Sequence, residues 1–151
     1  MPAAVQITPF RWRQLKRILD LEAASFPRDP YPRELFRELF EHCGDLFLVA
    51  KCSGRIAGYM VTAIEKQGAE IISIAVFPAF REKGIGSALM HATQRKLKRR
   101  GIASMALMVR IKNASAIRFY QRFGFRRMRR VNGYYEDGGD AWRMRLQPPA
   151  K

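Results

Sequence analysis

The chain is 151 residues long, the size of one ordinary domain and long enough to bury a core without disulfides or metal. Its 48% hydrophobic and 27% charged residues are a globular composition, and no apolar run approaches the roughly 18 residues of a membrane span. Lys and Arg number 28 against 13 Asp and Glu, a net charge of +15, which excludes an acidic solvating protein and predicts an anionic partner.

The elements follow in chain order. The opening MPAAVQITPF has neither the basic start nor the apolar core of a secretory leader, so a cytoplasmic protein is expected. A short strand near Val5–Ile7 precedes a helix from Arg11 to Ala24, on which Trp12, Leu15, Ile18/Leu19 and Leu21/Glu22 recur at helical spacing. The prolines of Phe26–Pro32 end that helix, and Pro32 suits the first turn of a second one through Phe36, Leu39 and Phe40. Leu46–Ala50 reads as a buried strand, joined through Ser53-Gly54 to Ile56–Ile64 as a hairpin. Glu70–Val76 is the next strand. Gly84 opens a helix that Gly101 closes, with Ile85, Ala88, Leu89, Ala92 and Leu97 as its apolar positions. A strand over Ser104–Val109, a helix over Asn113–Phe123 and two last strands around Asn132-Gly133 and Asp137-Gly138-Gly139 complete the order β-α-α-β-β-β-α-β-α-β-β. This is an α/β chain with a mixed sheet and helices on both faces. One domain is expected over residues 1–147, with 148–151 as a frayed tail.

Charge is concentrated rather than spread. Residues 81–130 carry 15 basic side chains against one acid, Glu82, whereas the other 101 residues carry 13 basic and 12 acidic ones. A polyphosphate cofactor, RNA or an acidic protein would each answer that excess, as would arginines simply solvated on exposed faces. Within the segment, Arg81-Glu82-Lys83-Gly84-Ile85-Gly86-Ser87 leaves a strand and enters a helix. The first N–H groups of such a helix, its dipole and two adjacent cations form an anion site. The spacing is neither GxxxxGK[ST] nor GxGxxG followed by an acid. Asn113 is a good N-cap, and Tyr120 lies two turns along its helix, as a half-buried anchor or with its hydroxyl towards the strand ends. Cys43 and Cys52 have no framework spacing, His42 and His91 no metal-ligand spacing, and no Ser-His-Asp or Cys-His arrangement is evident, so no metal is expected.

Arg81-x-x-Gly84-x-Gly86 and Asn113-x-x-Ala116-x-x-x-Tyr120-x-x-x-Gly124-Phe125 together resemble the two signature motifs of the GNAT acyltransferases, and the likeness covers nearly the whole chain. Leu21-Glu22-x-x-x-Phe26-Pro27, Ser73–Val76 and Tyr134-Tyr135 with Asp140-Ala141 further resemble the branch that acetylates the N-terminal alanine of a small ribosomal protein, and the related protein N-terminal acetyltransferases. The resemblance implies the GNAT fold, about seven strands with about four helices, and acetyl-CoA as cosubstrate. It implies backbone contacts from Ile74, Ala75 and Val76 to the pantetheine arm, a pyrophosphate cradle at Arg81, Glu82, Lys83, Gly84, Ile85, Gly86 and Ser87, and an arm contact from Asn113. Tyr120 would be the general acid at the sulfur. Phe26 to Tyr31 and the pair Tyr134, Tyr135 would flank the acceptor entrance, although Tyr134 and Tyr135 also read as ordinary strand residues.

One departure bears on the acceptor. Met108 stands where the alanine-acetylating relatives carry glutamate and some others histidine, and methionine cannot take a proton from the incoming amine. Glu70 would then act through a water, or be a solvated strand-end acid. An α-amine, with a pKa of about 7.7–8.0, is about a tenth neutral at pH 7, a deficit of roughly 1 kcal/mol, whereas lysine at about 10.4 faces ~4.5 kcal/mol. The expected activity is therefore acetylation of a protein or peptide N-terminus. A small-molecule amine acetyltransferase and a non-catalytic acyl-CoA or RNA-binding module are the competing expectations. Arg95–Arg100 and Arg126–Arg130 provide a possible ribosome or RNA contact, and a monomer or homodimer is expected.

Overall fold

Among the described residues the hydrophobic periods resolve into seven strands and four α-helices: β1 (Val5–Pro9), α1 (Leu15–Ser25), α2 (Arg33–Cys43), β2 (Phe47–Cys52), β3 (Arg55–Glu65), β4 (Gly68–Val76), α3 (Ile85–Arg99), β5 (Met105–Arg110), α4 (Ala114–Arg122), β6 (Arg126–Val131) and β7 (Ala141–Leu146). The computed structural model describes residues 4–27, 30–66 and 68–147. Arg28 and Asp29 of the expected entrance segment, and the expected tail at 148–151, lie outside the described residues. The strands form one mixed sheet in the order β1-β2-β3-β4-β5-β7-β6. No helix among the described residues is long and apolar enough to cross a membrane.

The chain divides into two compact units. The first comprises Met1–Ala63 and Ile72–Arg100. Its α1 buries Leu15, Ile18 and Leu21 at a spacing of three, and α2 buries Phe36, Leu39 and Cys43. These meet Phe47 and Val49 of β2 and Tyr59, Val61 and Ala63 of β3 in one core cluster. Phe10 stacks on Phe47 with ring centroids 4.3 Å apart, and Phe36 meets Tyr59 edge-on at 5.9 Å. Consecutive residues Phe47–Ala50 are all buried, the pattern of a strand covered on both faces, and α3 packs on β1 and β2. Ser53 (φ 53°) and Gly54 (φ 78°) make the tight turn between β2 and β3, as their sequence requires.

The second unit comprises Ile64–Ile71 and Gly101–Lys151. Here β7 lies between β5 and β6, antiparallel to both, pairing Met108 with Arg143 and Arg143 with Arg129. The start of β4 runs parallel to β5, in register at Ala69 with Met105 and Glu70 with Ala106. Gly68 is required there, because an added Cβ would stand 2.5 Å from the Ser104 carbonyl oxygen. On α4, Ile117 and Tyr120 are buried, and the Tyr120 ring meets buried Phe125 at 5.7 Å.

Element boundaries differ from expectation where local turns intervene. A 3-10 turn over Trp12–Gln14 precedes α1, secured by the Arg11 N–H donating to Gln14 Oε1 at 2.8 Å. Pro32 is the N-cap of α2 rather than a residue of its first turn. Tyr134 and Tyr135 are not strand residues, since both lie in the connection between β6 and β7.

Candidate active site

In the first unit, β4 ends at Val76 and the chain turns through a 3-10 segment at Pro78–Phe80 into α3. Ile74 and Val76 are half-buried and Ala75 is buried. The Arg81 Nε–H donates to the Val76 carbonyl at 3.3 Å, fastening the loop to the strand end. Glu82 (φ 62°) and Gly84 (φ 76°) both adopt the left-handed conformation. Glycine does so freely, whereas a glutamate is strained by about 1–2 kcal/mol, the kind of outlier that collects at functional loops. Gly84 is the N-cap of α3, no acid occupies the first helical turn, and beyond its chain neighbours nothing described lies within 4 Å of where a Gly84 Cβ would be. The N–H groups of Ile85, Gly86 and Ser87 lack carbonyl partners within a helix by its geometry. With exposed Arg81 and Lys83 beside them, they fit a diphosphate.

The same unit holds a buried polar network. Glu22, only 2% exposed on α1, accepts hydrogen bonds from the Tyr59 hydroxyl and, at 2.9 Å, from the Tyr31 backbone N–H. The Tyr59 hydroxyl also meets Ser73 Oγ of β4 at 3.0 Å. Burial first, and the Glu22 charge second, push the Tyr59 hydroxyl pKa well above the ordinary phenol value. The Tyr31 hydroxyl donates to the Ile72 carbonyl at 3.3 Å, and half-buried Phe26 packs on the core cluster. Phe26 and Tyr31 are thus fixed by the interior rather than left as mobile aromatics.

In the second unit, Asn113 caps α4, its Oδ1 accepting from the Ala116 N–H at 3.2 Å and from Ser115 Oγ at 3.4 Å. That oxygen serves the helix, so any ligand contact falls to the Asn113 amide nitrogen. Tyr120 is buried, and desolvation, with a smaller contribution from Tyr135, drives its pKa far above that of a free phenol. Its hydroxyl therefore stays protonated throughout the physiological range. The β6–β7 connection is pinned at both ends: Arg110 pairs with Asp137 at 3.1 Å and lies over the Tyr135 ring at 3.9 Å, while Asp140 accepts from Arg130 and, at 2.8 Å, from the Gly133 N–H. These contacts set Tyr134 and Tyr135 edge-to-face at 4.9 Å, with Tyr134 51% exposed.

Tyr134 overhangs a cleft of about 520 Å³ whose other lining residues include Glu65, Glu70, Met108, Met128, Arg129, Arg143 and Arg145. Glu70 is not a solvated strand-end acid: it is the third residue of β4, partly buried, and pairs with Arg143 at 2.6 Å. Among the described residues no group of three or more His, Cys, Asp or Glu is placed to hold a metal ion.

Residues 14–125 match the acetyltransferase (GNAT) family. This chain belongs to that family. An N-alpha-acetyltransferase of Sulfurisphaera tokodaii is 30% identical over 89% of this chain and 87% of its own. Among solved structures, Ard1 from Thermoplasma volcanium superposes with a TM-score of 0.89 at 29% identity, covering 95% of this chain and 97% of its own. The ribosomal-protein-S18-alanine N-acetyltransferase from Escherichia coli does so at 0.82 and 27%, covering 95% and 93%.

For this GNAT chain, the second unit brings Glu70, Met108 and Tyr134 to one cleft and sets Tyr120 within electrostatic range of Tyr135. Ile74 to Ser87, with Phe26 and Tyr31, lie in the first unit. Glu22, named in sequence on the helical stripe and in the Leu21-Glu22 motif, was given no role there, although a carboxyl group on a buried stripe has to find donors, which is a legible signal. Arg143 and Arg145 were missed altogether. Arg143 and Arg145 alternate along β7 and so share one face, but only the insertion of β7 beside β5 reveals that this face is the one carrying Met108.

Proposed function

We propose that this GNAT protein acetylates the N-terminal α-amine of a protein or peptide, using acetyl-CoA, in the cytoplasm. The observation that carries the reading is the cleft at Met108, where a side chain with no basic atom sits beside a Glu70 carboxylate already paired with Arg143. An acceptor in such a cleft, even one that binds as the ammonium, has to shed its amine proton to water before it attacks. For an α-amine that requirement is a deficit of roughly 1 kcal/mol at pH 7, against ~4.5 kcal/mol for lysine. The N-alpha and ribosomal-alanine activities in the names of the relatives support the same reading.

Acetyl-CoA supplies the thioester. In this assignment the N–H groups of Ile85, Gly86 and Ser87, with Arg81 and Lys83 and the loop through Glu82 and Gly84, hold its diphosphate. The backbone of Ile74, Ala75 and Val76 and the amide nitrogen of Asn113 hold its arm. The amine nitrogen bonds to the acetyl carbon, the carbon–sulfur bond breaks, and the amine proton leaves to water. Tyr120 meets the charge growing on sulfur. Because its pKa is driven above the phenol value while a thiol lies near ~8.5, Tyr120 stabilises that charge chiefly by donating a hydrogen bond, and water completes protonation.

Incubation with acetyl-CoA and a mixed peptide pool tests the reading. The pool contains peptides beginning with Ala, Ser, Met or Gly, and N-terminally blocked peptides with one internal lysine. One acetyl group gained on free α-amines alone is the expected mass change, and gain on the blocked peptides, or on none, overturns the proposal.

A further inference from the structure

We infer that the acceptor is a peptide whose third and fourth residues are acidic, read by the arginines of β6 and β7; this rests on the N-terminal acetylation reading and deepens it. Opposed residues on paired strands share a face. The register therefore aligns Met108, Arg143 and Arg129 in one row across β5, β7 and β6, and Glu70, Ala106, Arg145 and Arg126 in the next. The cleft over these rows is polar in a directional way. Its acids, Glu65 and Glu70, stand on β3 and β4, and its cations, Arg129, Arg143 and Arg145, on β6 and β7.

Within the cations there is a division of labour. Arg143 neutralises Glu70 at 2.6 Å, and Arg145 reaches back to Ser104 Oγ at 3.3 Å. Arg129 lies furthest from β4 in its row, on the exposed edge strand β6, beside Met128 at 55% exposure. It lines the cleft, so its charge is within reach of an occupant.

A charge-complementary occupant carries a cation at the acid end and carboxylates at the arginine end. An N-terminal ammonium followed by acidic side chains has that order. RNA has the wrong pattern, since Glu65 would oppose its phosphates and Glu70 already occupies Arg143. The spacing sets the position. Neighbouring strands are about 4.8 Å apart, so Met108 to Arg129 spans roughly 10 Å, or about three residues of extended peptide at ~3.3 Å each. An amine held over Met108 therefore brings its third and fourth residues to Arg129.

The test uses the full chain with coenzyme A present, so that binding is read without transfer. C-terminally labelled peptides with free N-termini, alike except for Glu-Glu or Lys-Lys at positions three and four, are titrated by fluorescence anisotropy. The Glu-Glu peptide should bind at least tenfold more tightly at low salt, with the ratio shrinking as salt rises. In Arg129→Gln the ratio should approach one, and in Arg129→Glu it should invert, with circular dichroism confirming that each variant folds. Equal binding, a preference for Lys-Lys, no binding of either peptide, or displacement of the acidic peptide by a lower concentration of single-stranded RNA would overturn the inference. Acidic preference without acetylation of any peptide would strike the N-terminal reading alone, while acetylation without the preference would strike only this one.

Discussion

The buried network of the first unit and the surface pairs of the second treat polar groups in opposite ways. In the first, the Glu22 carboxyl, the Tyr59 hydroxyl, Ser73 Oγ and the Tyr31 N–H satisfy one another in the interior, where a group deprived of its partner loses both its bond and access to water. In the second, Glu70 with Arg143, Arg110 with Asp137 and Arg130 with Asp140 pair on partly open surfaces, where water and salt compete with every bond. The contrast separates two kinds of carboxylate. The interior Glu22 is therefore expected to govern folding stability, and the surface carboxylates of the second unit the response to salt and pH.

The sharpest way to break this comparison is Glu22→Ala. It removes the acceptor from one buried and one partly buried donor and should lower stability by about 3 kcal/mol, read from the urea midpoint. A loss below about 1 kcal/mol, the top of the surface-pair range, would place Glu22 with the surface carboxylates. Tyr120→Phe should have the reverse profile, with kcat falling about 100-fold and the urea midpoint nearly unchanged. Unchanged kcat would remove Tyr120 from the chemistry.

A smaller effect is expected at Gly84, whose φ of 76° places it outside the comfortable range of an alanine. Gly84→Ala should lower stability by about 1 kcal/mol and raise the KM for acetyl-CoA several-fold with little change in kcat, a split that steady-state kinetics resolves. The smallest effect belongs to Asp140. The Arg130 hydrogen bond, and then the Gly133 N–H, hold its pKa below the usual carboxylate value. Its stabilisation of the β6–β7 connection is therefore complete above the unfolded pKa of about 3.9 and is lost as pH falls through the lower folded value. The Gly133 amide resonance should titrate with a midpoint below 3.9, and this transition should vanish in Asp140→Asn.

Sequence carried the elements because their signals are local. The three-residue spacing of Leu15, Ile18 and Leu21, the all-apolar run Phe47–Ala50 and the Ser53-Gly54 turn each fix an element within a few neighbours. The anion loop was legible for the same reason, since Arg81 to Ser87 are contiguous. The cleft at Met108 was only half legible. Met108 and Tyr134 could be singled out, but Arg143 and Arg129 join them only because β7 enters between β5 and β6, a long-range pairing that no local period encodes. For the same reason the pairing of Glu70 with Arg143 was not legible, the two lying 73 positions apart, and sequence offered only a water-mediated base or a solvated acid.

The central claim is that the cleft at Met108 accepts amines that lose their own proton, and the pH dependence of kcat/KM for a peptide with one free α-amine tests it most directly. If no residue of the cleft takes that proton, kcat/KM should rise about tenfold per pH unit up to the amine's own pKa near 8 and then level off. Substituting a peptide with a more basic N-terminal amine should shift the break point upward. A plateau that begins well below pH 7, at the same position for both peptides, would mean that a base in the protein titrates instead, and would contradict the account.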